Sequence, residues 1–181
     1  MLVTFAAPSN RATSTKDRAE LAEGQQPFAV TLGCADSQVA PELAFDQSRG
    51  QLFVLRVAGN SLNTDSLASV EFALEVLGTP LIMVLGHSAC GAVDAAIDVV
   101  KQDFELPGHP PKLIDPITPA VAAAKGNSGD LLTNAIKANV RLTVERIKEA
   151  GPIVAPLVAD GTVLVVGGFY DLATGEVELL T

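Results

Sequence analysis

At 181 residues the chain is long enough to bury one substantial core and short for two. Nearly half of it is hydrophobic (48%), only 18% is charged, and a net charge of −9 without any Lys/Arg cluster argues against a nucleic-acid partner. No apolar run reaches the roughly 18 residues that a membrane-spanning helix needs, so no membrane partner is expected. Met1 to Asn10 carries neither a basic head nor a long apolar stretch, so no secretory leader is read there. These features imply one cytoplasmic domain over 1–181, with 1–26 as an N-terminal arm or helix and with cysteines that are free or metal-bound.

Along the chain, Thr15 to Ala22 allows a short helix that stops at Gly24. Pro27 to Gly33 (PFAVTLG) is apolar, rich in β-formers and bounded by Pro and Gly, which predicts a buried strand. A helix with Pro in its first turn follows over Pro41 to Gln47, and a second strand over Gln51 to Ala58 is broken by Gly59-Asn60. Asp65 to Leu77 has helical spacing, with Thr64 or Asp65 as the candidate N-cap and Gly78 as the stop. Pro80 to Leu85 (PLIMVL) is a continuous apolar run of the kind found in parallel sheets covered on both faces. A helix is predicted from Cys90 to about Lys101. Five of the eleven prolines crowd into Asp103 to Pro119, which predicts a loop or irregular excursion. Gly129 to Ala150 is the longest helical candidate, and Ile153 to Val158 is a short apolar segment. Thr162 to Phe169 predicts another strand, and Thr174-Gly175 followed by alternating residues predicts an antiparallel C-terminal edge strand. Strands alternating with helices define an α/β fold, a central mostly parallel sheet flanked by helices.

In such sheets ligands gather beyond the carboxyl ends of the strands, where Cys34 and His87 both fall. Two thiols, an imidazole and a carboxylate (Cys34, Asp36, His87 and Cys90) then form one composite site. Zinc suits two thiolates and one imidazole, and three protein ligands leave a fourth position for water. His87 and Cys90, three apart where a helix opens, can face one ion, and the helix N-terminus favours the Cys90 thiolate. Taken singly, a buried cysteine is usually a small hydrophobe, and a histidine after a strand is usually a hydrogen-bonded core residue. A Cys34–Cys90 disulfide is a third alternative, disfavoured in a reducing compartment.

Cys34-Ala35-Asp36-Ser37 together with Gly86-His87-Ser88-Ala89-Cys90-Gly91 resembles the β-class carbonic anhydrases. Gly24 to Pro27, Phe53 to Asn60, Ala138-Asn139-Val140 and Tyr170 to Gly175 fall where that family has landmarks, so the resemblance spans most of the chain. It implies one zinc per subunit on Cys34, His87 and Cys90, and reversible hydration of carbon dioxide to bicarbonate. It also implies that Gln25 binds substrate, usually from the partner subunit, that Phe53 is an apolar wall, and that the protein is a homodimer or homotetramer. Read without the resemblance, Gln25 is an exposed loop residue and Phe53 a core residue.

Three positions depart from the family pattern. Gln38 stands where an arginine usually pairs with the aspartate through charge-assisted hydrogen bonds. An unpaired Asp36 is expected to lean toward the metal as a fourth ligand, closing the site and reducing activity. Phe72 replaces a frequent tyrosine and Ala58 a common valine, leaving an apolar, slightly wider pocket that could suit carbonyl sulfide or carbon disulfide. The alternative from another class is a non-catalytic relative whose closed zinc is structural or senses bicarbonate. His109, in Pro107-Gly108-His109-Pro110-Pro111, is either an exposed loop residue or a proton shuttle.

Overall fold

The computed structural model describes residues 2–4, 15–102 and 106–180. The reading of residues 1–10 rests mostly, and that of 103–105 wholly, on positions outside this set.

After β1 (Leu2–Thr4), α1 (Thr15–Glu23) fills the span expected of a short helix and stops before Gly24. β2 (Ala29–Gly33) is buried at every position, whereas α2 (Pro41–Ala44) is a single turn begun by its proline. β3 (Leu52–Arg56) is half-buried and ends in a 3-10 turn over Ala58–Asn60, where Gly59 takes φ 68°. α3 (Thr64–Glu75) is capped by neither Thr64 nor Asp65 but by Asn63. Asn63 Oδ1 accepts the Ser66 N–H at 2.8 Å, and Ser66 Oγ accepts the Asn63 N–H at 2.9 Å. This reciprocal capping box satisfies two donors that a bare helix end would leave open.

β4 (Leu81–His87) is buried from Ile82 to His87, and α4 (Gly91–Gln102) follows the turn at Cys90. The proline-rich segment is irregular over 106–110, as expected, but not beyond. It forms α5 (Pro111–Ile114), a 3-10 turn (Asp115–Ile117) and α6 (Thr118–Ala124), each with a proline in its first turn. There the missing N–H costs nothing and the fixed φ is already helical. α7 (Leu131–Lys148) starts at Asp130, whose carboxylate accepts the Thr133 N–H at 2.8 Å. α8 (Val154–Ala159), β5 (Leu164–Tyr170) and β6 (Glu176–Leu180) complete the chain, the last two joined through Thr174-Gly175.

The strand order is β1-β6-β5-β4-β2-β3. β2, β3, β4 and β5 are mutually parallel, and β6 runs antiparallel to β5. β1 pairs antiparallel outside β6, so the rim on that side is the N-terminal strand rather than β6. From β2 the chain crosses outward to β3 and then returns over β2 to β4, so connections leave β2 and β4 in opposite directions. Right-handed crossovers therefore put α2 on one face of the sheet and α3, α4 and α7 on the other. The larger core lies on that second face, where Val30, Leu32, Ile82, Val84 and Val165 meet Val70, Val93, Ile136 and Val140. The first face carries a smaller cluster of Val39, Ala44, Met83, Leu85 and Val177. A crevice opens beyond the carboxyl ends of β2 and β4, where the connections diverge.

Candidate metal centre

Cys34 is the first residue past β2, and His87 is the last residue of the neighbouring β4. Parallel pairing aligns Gly33 with Leu85, which brings both side chains to the same end of the crevice. Ala89, at φ 57°, turns the chain sharply so that Cys90 comes back beneath the crevice just before α4 begins. The ligand atoms of Cys34, His87 and Cys90 all lie within 4.8 Å of one another, and all three residues are buried.

The two sulfurs are 3.9 Å apart. Cys34 Sγ also accepts the backbone N–H groups of Asp36 at 3.4 Å and Gly59 at 3.3 Å. Donation from the Cys90 thiol outweighs burial, and with His87 and the two amides it holds Cys34 down to about 4. Cys90 is pushed up, first because it donates to Cys34 and then because it is buried. Burial would lower His87, but the negative charge of the close Cys34 thiolate, helped by the Ser88 carbonyl, outweighs it and raises its pKa.

His87 Nδ1 lies 2.9 Å from the Ser88 carbonyl, to which it donates as an N–H. That assigns the lone pair to Nε2, the usual arrangement behind a metal-binding histidine. Nε2 is buried without any hydrogen-bond partner among the described residues. A buried polar atom left unpaired is costly, and an ion among these three donors removes that cost. The donor set therefore fits a metal ion.

Asp36 and Gln38 sit in the turn that follows Cys34. Asp36 Oδ1 accepts the Gln38 backbone N–H at 3.0 Å, so the carboxylate has a partner, supplied by the main chain rather than by the Gln38 side chain. Ala58 is half-buried and immediately precedes the amide that faces Cys34. Phe53 and Phe72 pair with ring centroids 6.4 Å apart. They lie toward the other end of the strands, because Phe53 aligns with Val30, four residues before Cys34. At about 3.3 Å per residue that is roughly 13 Å along the sheet. Gln25 is exposed between α1 and β2, and His109 is exposed just before α5.

Two contributors are not evident from the spacing of cysteines and histidine. Arg56 donates from Nε to the Cys34 carbonyl at 2.9 Å. Asn139, on the buried stripe of α7, donates from Nδ2 to the Gly59 carbonyl at 2.8 Å, holding the turn whose amide faces Cys34. An asparagine among Ile136, Val140 and Thr143 was the available signal, since a polar side chain at a core position needs a partner. Asn139→Ala strands the buried Gly59 carbonyl. It is expected to cost about 1–3 kcal/mol in urea unfolding and to weaken metal retention about 10–100-fold. Unchanged retention in a chelator competition would remove Asn139 from the site's support.

A mostly parallel α/β sheet with a buried Cys/His/Cys donor set at its crevice defines a class of protein with a site that could hold a metal ion on sulfur and nitrogen. Residues 29–177 match the carbonic anhydrase family, and the chain belongs to that family, with the fold of its β class. Carbonic anhydrase 2 of Mycobacterium tuberculosis is 37% identical over 173 residues, covering 95% of this chain and 83% of that protein. The Coccomyxa β-carbonic anhydrase in complex with acetazolamide superposes with a TM-score of 0.76 at 29% identity, covering 90% of this chain and 75% of that one. A tetrameric β-carbonic anhydrase of Sordaria macrospora gives 0.80 at 23% identity, covering 90% and 85%, a likeness of fold.

Proposed function

We propose that the chain is a zinc-dependent carbonic anhydrase that reversibly hydrates carbon dioxide to bicarbonate and a proton, with Cys34, His87 and Cys90 as the zinc ligands. The observation that carries this reading is the buried, unpartnered His87 Nε2 beside two sulfurs 3.9 Å apart. Two sulfurs about 2.3 Å from one tetrahedral zinc stand about 3.8 Å apart, so the spacing suits that ion. Zinc held there would supply a water acidic enough to act as a nucleophile near neutral pH.

The chain's own residues then have distinct tasks. The amides of Asp36 and Gly59 stabilise charge on Cys34, and the Ser88 carbonyl orients His87. Asp36 keeps Oδ2 as an acceptor that orients the reacting water, its Oδ1 being engaged by the Gln38 amide. That bond supports an open site over the Asp36-capped one expected from the Gln38 side chain alone. Ala58 lines the apolar approach for carbon dioxide.

Gln25, Phe53 and Phe72 serve the site of a second subunit. Phe72, 48% exposed, and Val76, 63% exposed, leave apolar surface near β3 that a homodimer or homotetramer would cover. Two cysteines in the thiol state suit a cytoplasmic setting. No helix among the described residues is long and apolar enough to cross a membrane.

Stopped-flow hydration of carbon dioxide by zinc-loaded protein, from about pH 7 to 9 to bracket the acidity of such a water, tests the reading. The expected result is catalysis that rises with pH, with one zinc per chain. Absence of catalysis across the range, or activity on carbonyl sulfide alone, would overturn it.

A further inference from the structure

Arg56 is the last residue of β3, and its side chain extends along the sheet's edge into the turn that carries Cys34 and Asp36. Nε donates to the Cys34 carbonyl at 2.9 Å, and Nη2 donates to the Val39 carbonyl at 2.8 Å and also to the Asp36 carbonyl. One guanidinium thus ties three carbonyls that span the whole turn from 34 to 39. These are charge-assisted bonds from a rigid planar fork, a geometry that a lysine ammonium cannot reproduce. By contrast, among the described residues the Asp36 carboxylate is held only by the neutral Gln38 amide within the same turn. A single local amide is a weak restraint for a carboxylate beside a divalent cation. The direction in which Asp36 points is set by the backbone of residues 34 to 38, and Arg56 fixes that backbone.

We propose that Arg56 is the positioning residue of this centre: by clamping the 34–39 turn it keeps the Asp36 carboxylate off the metal, so that no cation is needed at position 38. This rests on the zinc hydratase reading, and it predicts that the open site fails when the clamp is lost although every ligand remains.

The test uses Arg56→Gln and Arg56→Lys in the full chain, loaded with cobalt(II) as a spectroscopic stand-in and, separately, with zinc. Both variants are expected to keep their far-UV circular dichroism and bind one metal per chain, with a changed cobalt d–d spectrum that reports carboxylate ligation. Asp36→Asn added to Arg56→Gln is expected to return that spectrum toward wild type. Carbon dioxide kcat/KM is expected to fall about 10–100-fold, the usual cost of a lost outer partner, and to recover when Gln38→Arg is added. Because Arg56→Lys keeps the charge and loses the fork, a spectrum altered in Arg56→Gln and normal in Arg56→Lys would show a charge effect and overturn the proposal. So would a spectrum unchanged in both variants, one changed equally with Asn at position 36, or loss of metal uptake in both. A wild-type protein that binds cobalt but does not hydrate carbon dioxide would remove the hydratase reading, while the cobalt spectra would still decide what Arg56 does.

Discussion

Cys90→Ser is expected to abolish stable metal binding and, with it, hydration of carbon dioxide. Its sulfur stands 3.9 Å from Cys34 Sγ in a pocket with a third donor, His87, and with no carboxylate in the cluster among the described residues. A serine hydroxyl is a harder, essentially un-ionised donor, poorly matched to an ion that prefers thiolate. Outer partners of a metal ligand are worth about 10–100-fold in affinity, so loss of a ligand itself should exceed that range. The effect should also appear in stability. Free metal at about 100 times its dissociation constant stabilises the folded state by about 2.7 kcal/mol, or roughly 5–11 °C in Tm for a chain of this size. Wild-type protein should lose that increment on treatment with a chelator, and Cys90→Ser should melt at the apo temperature with or without chelator. Metal analysis showing one zinc per chain in Cys90→Ser would remove Cys90 from the ligand set.

The parts of this architecture visible in the sequence are those where one local signal decides the outcome. Pro80 to Leu85 reads as a buried parallel strand because both of its faces are covered and every side chain must be apolar. Its true end is two residues later, since Gly86 and His87 still pair with Phe169 and Tyr170. A glycine and a histidine are poor strand formers, and only the neighbouring strand keeps them in line. The prolines beyond residue 110 show the opposite case. Pro111, Pro116 and Pro119 resemble breakers in a one-dimensional reading, yet each stands where a helix begins. For the site, the Cys-x-Asp and His-x-x-Cys spacings were enough to nominate the three donors that the fold brings together. Arg56 and Asn139 were not legible as support, because their partner carbonyls are 17 to 22 and 80 residues away. Gln38 shows a related limit. Its side chain lacks the charge to hold Asp36, while its backbone N–H, which no sequence pattern records, donates one bond to that carboxylate.

Gly86→Ala tests whether the sheet and the metal centre are braced by the same contact. A Cβ at position 86 would stand 2.6 Å from Val140 Cγ2 and 3.1 Å from Ile136 Cγ2 on α7. Both side chains are fully buried, so α7 has no slack on that side and must lift or tilt. Overpacking of this kind costs about 1–3 kcal/mol. The neighbouring strand gives α7 no alternative seat, because a Cβ on Gly167 would likewise meet Val140 Cγ1 at 2.7 Å. Moving α7 also moves Asn139, which holds the Gly59 carbonyl and through that turn the amide on Cys34, while Gly86 is bonded directly to His87. Gly86→Ala is therefore expected to lower unfolding stability by about 1–3 kcal/mol and to release metal faster than wild type does in a chelator competition. Gly91→Ala supplies the contrast on the other side of Cys90. No atom of the described residues lies within 4 Å of its Cβ position, and its φ is not positive, so it should be neutral or stabilise helix α4 by up to about 1 kcal/mol. If Gly86→Ala lost stability in urea but kept wild-type metal release, packing of α7 and integrity of the centre would be separate properties. If both moved together while Gly91→Ala left both unchanged, the close seat of α7 on Gly86 would be a shared foundation for fold and site.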